Sequence, residues 1–196
     1  DGGKNLGYSL DGGKTWREPA TVPDARSSDG FVAVSADGQS WVWTPKGGTP
    51  HVSHDHGETW TAVKGLPAGT RVIADRVNPG RFHAMDLFGD RLFASDDGGR
   101  SFGARPLALP DGRVTRAEAG GNNHSSRGDD RGGQDRLYST PGREGELWLA
   151  ALHGLYRASG GQAFQRLPSV TQIHAFGFGR AAPGSKDPAL YFVGTL

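Results

Sequence analysis

Short runs of apolar residues, separated by turns rich in glycine, recur along the whole chain. They predict strands at 31–34, 40–44, 71–75, 82–86, 91–94, 146–152, 154–157, 173–177 and 189–194. Apolar residues nowhere hold the helical period of 3.6 residues for more than about one turn. In several runs the alternation of apolar and polar positions is irregular, as in strands that are covered on both faces. The pattern therefore predicts an all-β fold without helices.

One eight-residue motif, Ser-x-Asp-x-Gly-x-Thr/Ser-aromatic, occurs three times, and we call it the Asp-box. Its copies begin at Ser9, Ser53 and Ser95, so successive starts are 44 and 42 residues apart. Asp and Ser side chains accept backbone hydrogen bonds from nearby residues, and glycine adopts a positive φ at little cost. The motif therefore predicts a tight hairpin turn. Its aromatic residue is expected to begin the next strand and to pack into the core, as Trp16 and Trp60 would.

The spacing of the Asp-boxes matches the length of a four-stranded propeller blade. An eroded fourth copy at 157–164 keeps two glycines and the aromatic residue but has lost the acid. A polar insertion at 120–136, expected to be a surface loop or a disordered segment, explains its larger offset from the third copy. We predict one domain, residues 1–196, with about four antiparallel four-stranded blades of a partial β-propeller. An unclosed ring would leave blade faces bare to water, so we expect a longer parent protein.

Composition limits the classes of partner. Lys and Arg number 22 against 21 for Asp and Glu, a balance that disfavours nucleic acid and anionic membranes as partners. The longest apolar runs, such as 147–152, fall far short of the roughly 20 residues that cross a bilayer. No cysteine is present, which excludes thiolate zinc sites and thiol nucleophiles. The chain begins at Asp1 without a methionine, which we interpret as a cut from the parent.

Sugar binding requires flat aromatic rings that stack on pyranose faces, together with polar side chains for the hydroxyl groups. Trp41 and Trp43 alternate along one predicted strand and so share a sheet face. Trp43 is the first candidate for a sugar platform, and the alternative is packing between blades. Asp75 and Arg76 at a strand end are further candidates, unless Asp75 fixes a loop by pairing with Arg76 or a backbone donor. His174 is the fourth candidate, and the alternative is a buried strand.

Other acids and histidines do not form a predicted catalytic or metal centre. Asp11, Asp55 and Asp97 recur with the turn glycines, and we interpret them as turn formers. His54 and His56 flank Asp55, but a catalytic zinc centre needs a third ligand, and none lies nearby in the sequence. We therefore predict no catalytic residue, no metal and no cofactor within the chain.

Three motifs follow the first Asp-boxes in a characteristic order: ADRVNP at 74–79, GELWLA…GLYR at 145–157 and GFGRAAPG at 177–184. Together with the Asp-boxes they resemble the C-terminal propeller of glycoside hydrolase family 74, the xyloglucanases and oligoxyloglucan-specific cellobiohydrolases. The resemblance covers almost the whole chain except the insertion. It implies two seven-bladed propellers that face each other across a cleft. It also implies inverting hydrolysis of the β-1,4-glucan backbone of xyloglucan by an extracellular or periplasmic protein.

In that family the two catalytic aspartates lie near the start of each propeller, in TD-x-GG and GD-x-GG-like contexts, and neither context occurs here. The resemblance thus implies that this chain supplies substrate-binding walls and is catalytically silent alone. Its partners would be a polysaccharide or oligosaccharide and the remainder of the parent propeller protein. Two alternatives stay open. One is a non-catalytic propeller that binds a glycan or a protein, and the other is a sialidase, which needs three arginines and a tyrosine nucleophile.

Overall fold

The computed structural model describes residues 6–23, 30–112 and 135–196. These residues form fourteen strands and no helix, which confirms the predicted all-β class. The described residues contain no helix that is long and apolar enough to span a membrane. Of the predicted insertion at 120–136, residues 120–134 lie outside the described residues, and Arg136 already begins a strand.

The first sheet is an antiparallel meander of four consecutive strands. They are β1 (Gly30–Val34), β2 (Trp41–Pro45), β3 (His51–Ser53) and β4 (Thr61–Ala62). The second Asp-box connects β3 to β4, because Ser53 ends one strand and Trp60 directly precedes the next. The first Asp-box closes a smaller hairpin, in which Tyr8 forms a bridge with Arg17.

The second and third sheets repeat this meander. The second contains β5 (Val72–Ala74), β6 (Phe82–Asp86), β7 (Arg91–Ser95) and β8 (Gly103–Pro106). The third contains β9 (Arg136–Ser139), β10 (Leu147–Ala151), β11 (Gly154–Ala158) and β12 (Gln165–Leu167). A two-stranded sheet, β13 (Gln172–Gly179) with β14 (Ala189–Thr195), follows. The third Asp-box and the eroded copy connect the third and fourth strands of their sheets, so the predicted propeller-type blade of four antiparallel strands is confirmed.

The chain divides into two compact units. The first comprises Asp1–Ala74, Asn78–Ala84 and Phe93–Ala104, and the second comprises Asp75–Val77, Met85–Leu92 and Arg105–Leu196. Each has its own apolar core, formed by strand residues together with residues of the connecting segments. The first core contains Ala33, Val42, Val52, Val63, Leu66, Val72, Phe82, Ala84, Phe93 and Phe102. The second contains Trp148, Ala150, Leu155, Val170, Ile173 and Phe176.

Candidate functional site

Each four-stranded sheet has two ends of different chemistry. In an antiparallel meander successive turns alternate between the ends, so the turn between strands one and two shares an end with the Asp-box turn. We call this the box end; in the first sheet it comprises residues 35–40 and 54–60. The opposite end, which we call the open end, carries the loop 46–50 and the segment 63–71 that leads out of β4. Function concentrates in loops that a rigid scaffold positions, so both ends are candidates.

The box end is held by hydrogen bonds that use the polar groups of the Asp-box itself. In the second box, Ser53 Oγ donates to Asp55 Oδ1 at 2.8 Å and accepts from Gly57 N at 2.8 Å. Thr59 donates its N–H to Asp55 Oδ1 at 2.9 Å and its hydroxyl to Oδ2 at 2.5 Å. The boxes that begin at Ser9 and Ser95 form the same four bonds. Gly57 has a φ of 85°, a conformation that favours glycine.

These bonds fix the charge of the box aspartates. Hydrogen bonds from Thr15 and Thr59 lower the pKa of Asp11 and Asp55, respectively, to about 2. Burial acts to raise the pKa of Asp97, but hydrogen bonds, chiefly from Ser101, outweigh it and lower the pKa to about 2. A general acid needs the opposite shift. The three aspartates therefore form turns, as predicted.

Trp43 lies near the end of β2 that leads to the open end. It is half-buried, and it flanks the fully buried Val42, so its ring lies on the sheet face opposite the core. The ring rests against the backbone of β1, since a Cβ on Gly30 would lie 2.9 Å from Cη2 of Trp43. The indole N–H is buried and has no acceptor among the described residues. The arrangement leaves part of a rigid aromatic surface open at this end of the first sheet.

His51 is a neighbour of Trp43 that the sequence did not single out. It pairs with Trp43 in the register of β2 and β3, so the two side chains share a face. His51 Nδ1 lies 2.8 Å from the carbonyl oxygen of Thr49. Because a carbonyl only accepts, Nδ1 carries the proton, and Nε2 of the neutral ring is an acceptor. An aromatic ring beside an acceptor suits a pyranose with its hydroxyl groups.

Asp75 and Arg76 lie in the turn between β5 and β6, at the box end of the second sheet. The Asp75 side chain is buried, with the residue 0 % exposed. Its Oδ1 accepts from Val77 N at 2.7 Å and its Oδ2 from Gly145 N at 2.7 Å. This geometry is that of a loop-fixing carboxylate, the alternative stated above, with backbone donors as partners. Arg76 is exposed.

His174 occupies a β-bulge. The pairing of β13 with β14 shifts between Ile173 and Ala175, so His174 is the extra residue, and it is exposed. A bulge redirects a side chain out of the regular alternation. Its neighbour Phe176 is instead buried and stacks on Trp148 at a centroid distance of 5.8 Å. The four predicted residues thus fall in different places: Trp43 near an open end, Asp75 and Arg76 at a box end, and His174 on a bulge.

Glu146 is the buried acid that sequence reasoning missed. Its carboxylate accepts from Thr140 Oγ1 at 2.8 Å, from Arg157 at 2.5 Å and from Ser159 Oγ at 3.3 Å. Burial acts to raise the pKa of Glu146, but the bond from Arg157 and the other bonds outweigh it and lower the pKa. In the eroded box, Arg157 and Ser159 stand at the positions that Ser and Asp occupy in the other boxes. The loss of the box aspartate was the sequence signal that another acid, here Glu146, accepts hydrogen bonds at this turn. Glu146, which directly precedes β10, accepts the hydrogen bonds that Arg157 and Ser159 donate.

A cleft of about 480 Å³ opens beside this cluster. Arg157 lies over the Trp148 ring, 5.4 Å from its centroid. The register places Trp148, Arg157 and Gln165 side by side on β10, β11 and β12. Trp148 is buried, as predicted for a core residue.

The box aromatics do not all reach the core. Trp60 is half-buried and donates its indole N–H to Thr21 O at 2.8 Å, and Phe102 is buried. The predicted core position is therefore wrong for Trp16, which is 70 % exposed, and Trp60 belongs to neither apolar core.

Among the described residues, the histidines are not grouped to hold a metal ion, and Tyr156 is not set up as a nucleophile. His54 bonds to Ser40 Oγ, whereas His56 packs against Tyr8 and Trp41. Within the described ranges no three His, Cys, Asp or Glu side chains are grouped to hold a metal ion. Burial, together with its hydrogen bond to Asp111, raises the pKa of Tyr156 to about 12, which disfavours a nucleophilic phenolate.

Comparison with known proteins identifies relatives of the chain. No protein-family model matches it. A xyloglucanase from a Paenibacillus species is 34 % identical over 202 residues, which cover 98 % of this chain and 17 % of that protein. A xyloglucanase from Acetivibrio thermocellus is 33 % identical over 195 residues, covering 98 % and 20 %. The crystal structure of the GH74 xyloglucanase from Xanthomonas campestris matches with a TM-score of 0.78 and 32 % identity, covering 97 % of this chain and 25 % of that one.

The chain therefore spans about a fifth of the length of these curated relatives. Sequence and structure agree, because each kind of comparison matches 97–98 % of the chain. The resemblance predicted from the sequence is confirmed: over nearly its whole length the chain is similar to a portion of the glycoside hydrolase family 74 xyloglucanases.

Proposed function

We propose that the parent protein is a secreted, inverting glycoside hydrolase that cleaves the β-1,4-glucan backbone of xyloglucan, in an extracellular or periplasmic location. The observation that carries this proposal is the 34 % identity to a xyloglucanase over 98 % of the chain. In this proposal the chain supplies a sugar-binding wall, and both catalytic aspartates lie outside it.

The chemistry of the described acids supports that division of labour. An inverting enzyme needs one protonated acid and one carboxylate that activates water. The box aspartates, with pKa values of about 2, stay ionised at neutral pH, and their oxygens are already bonded. Asp75 is buried against backbone donors, and Glu146 is bonded to Arg157. None of these five suits the role of the acid.

Exposed apolar residues support the proposal that the remainder of the parent protein packs against this chain. On β14, Tyr191 and Val193 are 66 % and 64 % exposed. β14 lies at the edge of a two-stranded sheet. In a complete blade of four strands, a further strand would pair with this edge. In the first unit a groove of about 230 Å³ is lined by apolar residues that include Val32 and Val34. We infer that further polypeptide covers these surfaces.

The experiment compares the purified parent with the 196-residue chain. The parent should release reducing ends from xyloglucan, and the isolated chain should release none. In the same samples, amide hydrogens of β14 should exchange more slowly in the parent, where a further strand protects them. Hydrolysis by the isolated chain would place the catalytic acids inside it, and a parent inactive on xyloglucan would refute the proposal.

Trp43 provides the test of the binding wall. In the parent, Trp43→Ala should raise KM for a xyloglucan oligosaccharide roughly 2–10-fold with little change in kcat, since one aromatic contact contributes about 0.5–1.5 kcal/mol. Trp43→Phe keeps a ring and should lose less. Trp16→Ala, which removes an indole at a box turn, is the matched control and should leave KM unchanged. An unchanged KM for the folded Trp43→Ala variant would assign Trp43 to packing between blades.

A non-catalytic propeller that binds a glycan or a protein is the second candidate function. The favouring observation is that the described acids serve turns and loops, as shown for Asp11, Asp55, Asp97 and Asp75. The two functions differ in the parent. The enzyme requires two acid-bearing glycine motifs about one propeller apart, and a parent sequence without them would favour the binding protein.

A further inference from the structure

One histidine links three turns at the box end of the first unit. His54 belongs to the second Asp-box, between Ser53 and Asp55. Its Nδ1 lies 2.8 Å from Ser40 Oγ, in the turn between β1 and β2. On its other side lies the third Asp-box, where a Cβ on Gly98 would approach His54 Cε1 to 3.0 Å. The imidazole thus fills a space that the turn glycine leaves open.

The turn that presents Ser40 is itself fixed. Ser35 donates its hydroxyl to Asp37 Oδ1 at 2.5 Å, and Gln39 N donates to the same oxygen at 3.1 Å. Ser40 N donates to Ser35 Oγ at 2.9 Å. The Asp37 carboxylate is therefore engaged within its own turn, and the group that this turn presents to His54 is the neutral Ser40 hydroxyl.

The second ring nitrogen of His54 is enclosed. Nε2 is buried and has no hydrogen-bond partner among the described residues. The charged groups that face the ring are Arg100 and Asp97 from the third box and Asp55 from its own turn. Burial has the largest effect on the pKa of His54 and lowers it, and the nearby charge of Arg100 lowers it further. The carboxylates of Asp55 and Asp97 act in the opposite direction but do not outweigh these two effects. The site accommodates a neutral imidazole better than a cation.

We propose that His54 is an acid-sensitive latch that joins the turn at 35–40 to the third Asp-box. Neutral His54 fills the space beside Gly98 and bonds to Ser40. Because Nε2 has no acceptor among the described residues, the neutral ring carries its proton on Nδ1 and donates it to Ser40 Oγ. Protonation adds an N–H at the enclosed Nε2 and places a cation near Arg100. Acidification therefore loosens the contact between the turns. This inference does not depend on the proposed hydrolase activity.

The direction of the pH dependence follows from linkage. The unfolded chain has an ordinary histidine with a pKa of about 6.5, and the folded pKa is lower. Below pH 6.5 the unfolded state binds more protons, so stability is complete above that value and declines as the pH falls towards the folded pKa. Across that window the unfolding equilibrium constant rises by at most about tenfold per pH unit for one such group.

The test uses the folded 196-residue chain. The Hε1 resonance of His54, followed by NMR, should titrate below pH 6.5. Urea unfolding at pH 7.5 and 5.5 should show a loss of stability on acidification that is smaller in His54→Gln, which can bond to Ser40 but does not titrate. His153→Gln, at an exposed histidine, is the matched control and should retain the full loss.

Arg100→Gln separates electrostatics from simple packing. Removing this cation should move the titration midpoint of His54 to higher pH, a shift that a purely space-filling role would not produce. A midpoint at or above 6.5 in the folded wild-type chain would overturn the proposal. So would a His54→Gln variant that loses as much stability on acidification as the wild type. If His54→Gln does not fold, the titration of the wild type and of Arg100→Gln decides alone.

Discussion

Replacing Phe82 with alanine should lower the free energy of unfolding by about 3–5 kcal/mol, the range for deleting a buried aromatic ring. Phe82 is fully buried in the first core, opposite Ala74 in the pairing of β5 and β6. Its ring also supports the third Asp-box, since a Cβ on Gly99 would lie 3.7 Å from Phe82 Cδ2 and 2.5 Å from Val42 Cγ2. The variant therefore leaves a cavity in the core and removes a side chain that packs against the third Asp-box turn. Urea unfolding monitored by tryptophan fluorescence measures the loss.

Leu10→Ala is the control for Phe82→Ala, because Leu10 is an apolar residue that is 66 % exposed. It should change the free energy of unfolding by no more than about 0.5 kcal/mol, as surface substitutions do. A Phe82→Ala variant as stable as Leu10→Ala would mean that the first core does not hold the described strands together.

The strands that the sequence predicted are those with a strong apolar signal. β6 and β10 have five residues each, and β10 is buried at every position. The strands that were missed have only two to four residues each: β3 (His51–Ser53), β4 (Thr61–Ala62), β8 (Gly103–Pro106), β9 (Arg136–Ser139) and β12 (Gln165–Leu167). Such strands are held in place by backbone pairing to a neighbour, which leaves no mark in the order of apolar and polar residues.

The Asp-box predicts a turn because its hydrogen bonds are all local. Every bond of the second box joins residues within the span from Ser53 to Thr59. Burial of the aromatic residue depends instead on distant parts of the chain. Thr21 accepts the bond from Trp60, whereas Trp16 has the same motif position and is 70 % exposed. The motif therefore determines the turn and leaves the surroundings of its aromatic residue open.

For the candidate site, too, the local features could be predicted from the sequence, whereas the contacts between distant residues could not. Alternation along β2 placed Trp43 on the same sheet face as Trp41, and the structure adds that this face lies opposite the core, because Val42 between them belongs to the core. His51 was missed because β3 has only three residues and its register with Trp43 is a tertiary property. For Asp75 the sequence left two roles open, since the donors that surround it come from Val77 nearby and from Gly145, 70 residues away. Long-range backbone donors of this kind have no sequence signature.

Replacing Asp75 with alanine should destabilise the second unit by roughly 3–5 kcal/mol, because two backbone N–H groups lose their acceptor on a buried carboxyl group together. The N–H groups of Val77 and Gly145 would lose their acceptor, and the turn after β5 would lose its link to residue 145. Asp96→Ala is the matched control. It removes an exposed aspartate that pairs with Arg81 at 2.6 Å, and such surface pairs contribute about 0.2–1 kcal/mol.

Asp75→Asn distinguishes loop fixing from substrate binding. The amide keeps one oxygen acceptor but places an NH₂ group opposite a backbone donor, so the variant should lose stability yet less than Asp75→Ala. If Asp75 only fixes the loop, folded Asp75→Asn parent protein should bind a xyloglucan oligosaccharide with an unchanged KM. A KM that rises while the unfolding midpoint stays at the wild-type value would instead assign Asp75 to the substrate. The burial of the carboxylate, with both oxygens on backbone donors, leads us to expect the change in stability.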